Sequence, residues 1–445
     1  MLGVAMSIIA PKGRKHLSAD ALFRLVRSGC TNVPDHRGGD LDIALTAALM
    51  SAFAMFSLKS PALLAFDKQR VEGNLGTIYG IGRVPCDTQM REILDPVSPE
   101  LLRPLFTSVF RQLQRGKALE PMEFLDGHYL LALDGTGYFS SKTMHCASCL
   151  RKVHRNGSVT YYHQMLGAAI IHPDVCEVRP IMPEPIEKQY GTDKNDCQRN
   201  AAKRFLAKLR QDHPHLPFIV TEDSLRSNAP HIGTLHAQGL HDILGVKDGD
   251  HAFLFKQVQA ADHAGRVTDY ERHDRAAGLL HRFRFINDLP LNESNTDVRV
   301  NFMEYWKIGA GQVQHCSWVT DLRVTTRNVY RLMRGGRARW KIANETCNTL
   351  KNQGDNFEHN DGHGTQNLSV VFAAVMILAF LVDQTQQLCC ALFRAAWAKM
   401  GSKRLVWERM RALFYDYALE SMRQLLEALL YGLQKPPPLF ASDSS

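Results

Sequence analysis

Two short apolar runs, each ending in an acid, constrain this chain more than any other feature. The first is Leu130–Leu133, running into Asp134 and the turn Gly135-Thr136-Gly137. The second is Phe218–Val220, running through Thr221 and Glu222 to Asp223. Each reads as a buried strand that delivers a carboxylate to an open loop, where a rigid backbone can hold a metal ligand or a reacting group. If the two strands end at one sheet edge, the carboxylates meet, and hard divalent cations take such oxygen ligands. Taken singly, an Asp at a strand end is more often a helix cap or turn residue. Glu222 is a rival to Asp223, although strand alternation points it the other way.

The sequence around these runs supplies the rest of a domain. Val159–Ile171 reads as a strand, and Asn195–Arg210 as a helix with Phe205, Leu206 and Leu209 apolar and basic residues elsewhere. Strand, strand, helix, strand specifies an α/β domain. Upstream, residues 1–125 read as a helical DNA-binding region. Leu41–Phe66 is two helices interrupted at Pro61, and Pro99–Gln114 is another. Asn74–Leu94 reads either as an ordinary helical pair or as a helix-turn-helix capped at Asp87, with Arg83, Gln89 and Arg91 available to DNA.

Downstream, residues 241–325 read as a β-rich antiparallel insertion whose short strands begin at Phe253–Val258. Helices are expected at Asn328–Arg334, Trp340–Asn352, Leu368–Met400 and Val406–Tyr431, with a disordered tail. The core therefore divides into a first half at 126–240 and a second half at 326–390. A C-terminal helical region follows at 391–445.

A chain of 445 residues can bury a sizeable core. Its net charge of +8 is a modest basic excess, compatible with a nucleic-acid partner. Ten cysteines in this length do not form a secreted disulfide framework, and the N-terminus reads as no signal peptide. The longest apolar run, Val370–Val382, is closed by Asp383 and suits a buried helix better than a membrane span. A cytoplasmic location, without a membrane partner, is expected.

A third acid is Glu345. On a generic helix, Lys341 and Glu345 would form a surface pair at i and i+4. The setting suggests more. Arg323, Arg327, Arg331, Arg334, Arg337, Arg339 and Lys341 form a dense basic tract, costly in self-repulsion unless a polyanion binds. An acid in such a tract suggests phosphate chemistry at a metal.

LALDGTGYF, then VTEDSLRSNAP, then RARWKIANETCNTLKNQG with NFEHNDGHG, resembles the DDE-type transposases of bacterial insertion sequences. The resemblance covers roughly residues 40–380. It implies an RNase H-like mixed-sheet core, interrupted by a β-rich insertion before the catalytic Glu and flanked by helical regions. It makes Asp134, Asp223 and Glu345 the acidic triad holding two Mg²⁺ (or Mn²⁺) ions. The implied activity is cleavage at the ends of an insertion sequence and strand transfer into target DNA. Implied partners are double-stranded inverted-repeat and target DNA and, in that complex, a second copy of the chain, in a nucleoid-associated setting. Relatives with this insertion carry a Tyr, an Arg, the Glu and a Lys at fixed spacing. Here Ala338 and Lys341 stand at the first two positions, and Lys351 falls one residue short of the last, so Lys341 and Lys351 are candidate substitutes. A metal-dependent nuclease on the same core and a non-catalytic repressor derived from a transposase are the rival readings.

One further motif stands apart. Cys146 and Cys149 have the CxxC spacing of half a zinc site, with His154 and His163 downstream. The readings are a zinc-stabilised loop using Cys146, Cys149 and His154, or free thiols and surface imidazoles. His163 reads as a half-buried strand residue.

Overall fold

The computed structural model describes residues 15–70, 73–188, 195–309 and 311–432. The chain divides into two compact units, one of residues 119–349 and one of residues 1–118 with 350–445.

The first of these units is built on one mixed sheet of eleven strands. They are β1 (Glu123–Leu125), β2 (His128–Ser141), β3 (Leu150–Val153), β4 (Val159–His172), β5 (Val175–Ile186), β6 (Phe218–Glu222), β7 (His241–Gly245), β8 (Thr268–Asp274), β9 (Leu279–Asn292), β10 (Asn295–Gly309) and β11 (Gln312–Thr320). At its heart the order is β5-β4-β2-β6-β7, in which β4 runs antiparallel to both neighbours while β2, β6 and β7 are mutually parallel. That is the strand order of an RNase H-like core. The helix Gln198–Asp212 connects β5 to β6, and Ala229–Ala237 connects β6 to β7. Leu130–Leu133 and Phe218–Val220 are fully enclosed, as apolar runs in parallel strands covered on both faces should be.

The β-rich insertion is antiparallel, but it is not a separate body. Val319 of β11 pairs with Leu244 of β7, so β8–β11 extend the core sheet. Phe253–Val258, expected as a strand, is part of the helix Ala252–His263. Leu254, Val258 and Ala261, three or four residues apart, bury one helical face. β5 lay outside the strands read from the sequence. Its three prolines argue against a central strand, and it sits at an edge of β4, where prolines are tolerated.

The other unit is helical. Leu368–Cys389 is apolar all round, and all but two of its residues are buried inside the unit, as such a helix requires. It is also long and apolar enough to cross a membrane. The expected helix Leu368–Met400 breaks at Cys390, and Val406–Tyr431 is likewise two helices, Lys403–Asp416 and Met422–Tyr431. Lys59 is buried between Asp355 and Asp383 and is bonded to both. In the segment read as a helix-turn-helix, the cap of Asp87–Leu94 is Cys86, whose N–H donates to Gln89 Oε1 at 3.1 Å; Asp87 is the first helical residue. Arg83 and Arg91 pair with Asp42 at 3.3 Å and Asp87 at 3.4 Å.

Candidate functional site

The parallel register brings the first two acids together. Leu130 pairs with Ile219 and Ala132 with Thr221. The same offset, one step further on the same face, reaches Asp134 and Asp223. Asp134 lies within β2, opposite Gly167 of β4, and Asp223 follows the last residue of β6. Both are half-buried. Burial pushes the Asp134 carboxyl above its ordinary range; Arg339 opposes this shift and the charge of Asp223 adds to it. The Arg339 guanidinium stands 3.6 Å from Asp134 Oδ2. The Asp223 carboxylate has no hydrogen-bond or ion-pair partner among the described residues, and it does not cap the short helix Ser224–Arg226 that it precedes.

A buried scaffold holds this pair. Arg226 donates from Nη2 to Gln198 Oε1 at 2.9 Å and pairs with Glu222 Oε1 at 3.2 Å. Glu222 Oε2 meets His231 Nε2. Glu222, the rival ligand, is therefore consumed in a structural network on the face away from Asp223. Asn228 caps the helix Ala229–Ala237 by accepting from the His231 N–H at 3.2 Å. Gly135 has no side chain because Gln198 occupies the space: a Cβ there would lie 2.1 Å from Gln198 Nε2.

Glu345 lies in a π-helical turn, Ile342–Cys347, rather than on a regular helix. The turn packs against β2, β4 and β5. Glu345 is half-buried and, among the described residues, has no hydrogen-bond or ion-pair partner. Single π-turns inside helices occur often at functional sites.

The basic tract is more structural than its sequence suggests. The helix is Val329–Ala338, so Arg327 precedes it. Arg331 donates to Phe124 O, Arg334 pairs with Asp174, and Arg337 donates to Gln314 Oε1 at 3.3 Å. Lys341 is buried and donates to Val175 O at 2.7 Å, so it neither pairs with Glu345 nor faces a DNA backbone. Lys351 pairs with Glu358 at 2.7 Å. Arg323 and Arg327 are exposed, with side chains free of ion pairs among the described residues.

The CxxC motif meets an imidazole, but not the expected one. Cys146 Sγ and Cys149 Sγ are 3.8 Å apart, and each lies 3.5 Å from His163 Nε2. His154 Nε2 bonds Thr160 Oγ1 at 2.8 Å instead. His163 was named beside the motif but set aside for His154, because a strand imidazole with aromatic neighbours reads as half-buried packing. The available signal was the antiparallel hairpin, which folds β4 back beside the loop after β2.

No family profile matches this chain, and no curated protein matches it. Among solved structures, the chain is similar to the piggyBac transposase synaptic complex with hairpin DNA. The match covers 97% of this chain and 88% of that one, at 11% identity and a TM-score of 0.41. The functional reading therefore rests on the chain's own residues.

Proposed function

We propose that this protein is a DDE-type transposase that cleaves DNA at the ends of its element and joins them to target DNA. What supports this reading above all is the pair Asp134 and Asp223, brought into register by the parallel strands β2 and β6, Asp134 within β2 and Asp223 just past the end of β6, and lacking full countercharge. The donor set fits a hard cation such as Mg²⁺ or Mn²⁺: all-oxygen, partly desolvated, and mutually repelling until a positive charge arrives. Asp134 and Asp223 would hold it, with Glu345 as the third acid. A bound divalent cation supplies Lewis-acid charge at phosphorus and lowers the pKa of a bound water.

The chain's own residues do the remaining work. Arg339, beside Asp134, opposes the upward shift that burial imposes on that carboxyl and orients it. Arg226, locked between Glu222 and Gln198, fixes the loop that carries Asp223. Exposed Arg323 and Arg327 can take DNA phosphates. Hydrolysis by water and attack by a DNA 3′-hydroxyl are both displacements at phosphorus, so one set of acids serves cleavage and joining. Two DNA ends imply a dimer in the complex.

The test uses supercoiled plasmid and oligonucleotides carrying the DNA that flanks the reading frame. Wild-type protein with Mg²⁺ or Mn²⁺ should nick the plasmid and should join pre-cleaved ends carrying a 3′-hydroxyl. Nicking without joining would favour the nuclease reading. Asp134→Asn and Asp223→Asn should lower both rates by about 10³-fold or more while DNA retention in a mobility shift stays unchanged. Wild-type cleavage by Asp134→Asn would overturn the assignment.

A further inference from the structure

We propose that Cys146, Cys149 and His163 bind a zinc ion that clamps the loop after β2 onto β4. The geometry carries this. Tetrahedral zinc with bonds of about 2.3 Å to sulfur and about 2.0–2.1 Å to nitrogen sets S···S near 3.8 Å and S···N near 3.5 Å. The three separations here are 3.8, 3.5 and 3.5 Å. The alternative is a triangle of hydrogen bonds, and it is chemically poorer. One imidazole nitrogen carries either one proton or one lone pair, so it cannot serve two thiols at once. A cation at the centre satisfies all three atoms, and two thiolates neutralise its charge.

The three protein atoms leave a fourth tetrahedral position for a water or a further ligand. Cys149 and His163 are buried, and Tyr138 stacks on the His163 ring at 5.8 Å. Sulfur ligands select a soft cation over Mg²⁺, so this site is chemically distinct from the carboxylates. Its position gives it a role. His163 pairs with Phe139 across the β2–β4 ladder, and four residues further along β4 Gly167 pairs with Asp134. The ion would fix the outgoing end of the strand that carries Asp134. It would also order the hairpin bearing the exposed cations Lys142, Arg151, Lys152 and Arg155.

The experiment is metal analysis of the full-length protein purified without chelator. About one zinc per chain is expected, with sulfur and imidazole nitrogen in its first shell by X-ray absorption. Zinc content should fall to near zero in the Cys146→Ser/Cys149→Ser double variant and at least several-fold in His163→Ala. It should be unchanged in His154→Ala and in Asp134→Asn. If the cysteine variants do not fold, cobalt exchange into the wild-type protein decides: a thiolate-to-cobalt charge-transfer band supports the site, and its absence overturns it. Zinc-free wild-type protein, or zinc lost in His154→Ala but kept in His163→Ala, would also overturn the proposal. These readouts do not depend on DNA cleavage, so they stand or fall separately from the transposase reading.

Discussion

Gly336→Ala tests how the basic helix is seated against the sheet that carries the acids. The helix Val329–Ala338 approaches β11 through Gly336, where an added Cβ would lie 2.4 Å from Trp318 Nε1 and 2.7 Å from its Cε2. Non-bonded heavy atoms settle near about 3.5 Å, so something must yield by roughly 1 Å. Trp318 has little freedom, being 5% exposed and paired with Gly245 across the sheet. The helix must therefore lift. Overpacking of this kind costs about 1–3 kcal/mol, and Ala returns about 1 kcal/mol of helix propensity. Gly233→Ala is the matched control, since that helical glycine has nothing within 4 Å of its would-be Cβ. The propensity gain is common to both variants, so the difference between them isolates the overpacking, about 1–3 kcal/mol by urea denaturation. The functional effect should be larger than the loss of stability. Arg339 and the Glu345 turn follow this helix directly, and a displacement of roughly 1 Å at reacting groups can cost about 10²-fold in rate. Plasmid nicking by Gly336→Ala should fall accordingly, while Gly233→Ala keeps wild-type activity. Equal stabilisation of both variants with full activity would refute the packing argument.

Other outcomes follow from particular groups. Asp383, buried beside Lys59 and Asp355, is pushed up to about 7 from 3.8, mainly by burial. The stability this contributes is complete below about pH 4 and is lost as pH rises through 7, with a ceiling of about 4 kcal/mol. Asp383→Asn should flatten that part of the stability–pH curve; parallel curves for the two proteins would contradict it. Burial raises the Asp134 carboxyl, with Arg339 opposing and Asp223 adding to the shift, so a proton and a cation compete for it over a higher pH range than for an ordinary carboxylate. The increase in Tm on adding Mg²⁺ should therefore grow as pH rises through that elevated value and vanish in Asp134→Asn. Replacing Lys142, Arg151, Lys152 and Arg155 with Gln should weaken DNA binding at all sequences. It should also reduce the slope of log affinity against log salt by about 0.9 for every phosphate that is no longer neutralised, measured by fluorescence anisotropy.

The apolar runs leading to Asp134 and Asp223 were legible because an apolar run closed by an acid is local information. Only β6 ends there, however: β2 continues through Gly135-Thr136-Gly137, expected as a turn, to Ser141, because it pairs with β4 along that length. The meeting of the two acids was a single inference from parallel order, which the Ala132–Thr221 register satisfies. Non-local pairings were not legible. That β11 joins β7 through Val319 and Leu244 depends on residues 75 positions apart (319 − 244), and nothing in either segment announces it. Just before the π-turn around Glu345, Lys341 reaches Val175 O, an interaction between distant parts of the chain that the local sequence does not announce. The same applies to the basic tract. Density of arginine is visible in sequence, but whether a guanidinium faces DNA or, like Arg331, a carbonyl at Phe124 is decided by packing.

The contrast among the acids of this unit is the firmer guide to where chemistry sits. Buried Glu184 is met by Arg204 and Lys208, buried Glu304 by Arg284 and His315, and buried Glu222 by Arg226 and His231. Each has two cationic or imidazole partners, as an ionised carboxylate in a low-dielectric setting requires. Asp134 has one ion pair, to Arg339 at 3.6 Å, with Arg226 a weaker favourable charge, and Asp223 and Glu345 have no ion pair among the described residues. Neutralising them within the chain would have needed only another arginine from a tract that already supplies seven cations. Buried Asp242 departs from this pattern: it has only His236, at 3.1 Å, and burial pushes its carboxyl up to about 6. The shortfall at Asp134, Asp223 and Glu345 differs in lying on half-buried carboxylates, open to a cation from outside the chain. Sequence patterns identify all six residues equally as acids; the accounting of countercharge separates the three that are paired within the fold from the three on which the proposed cation site rests.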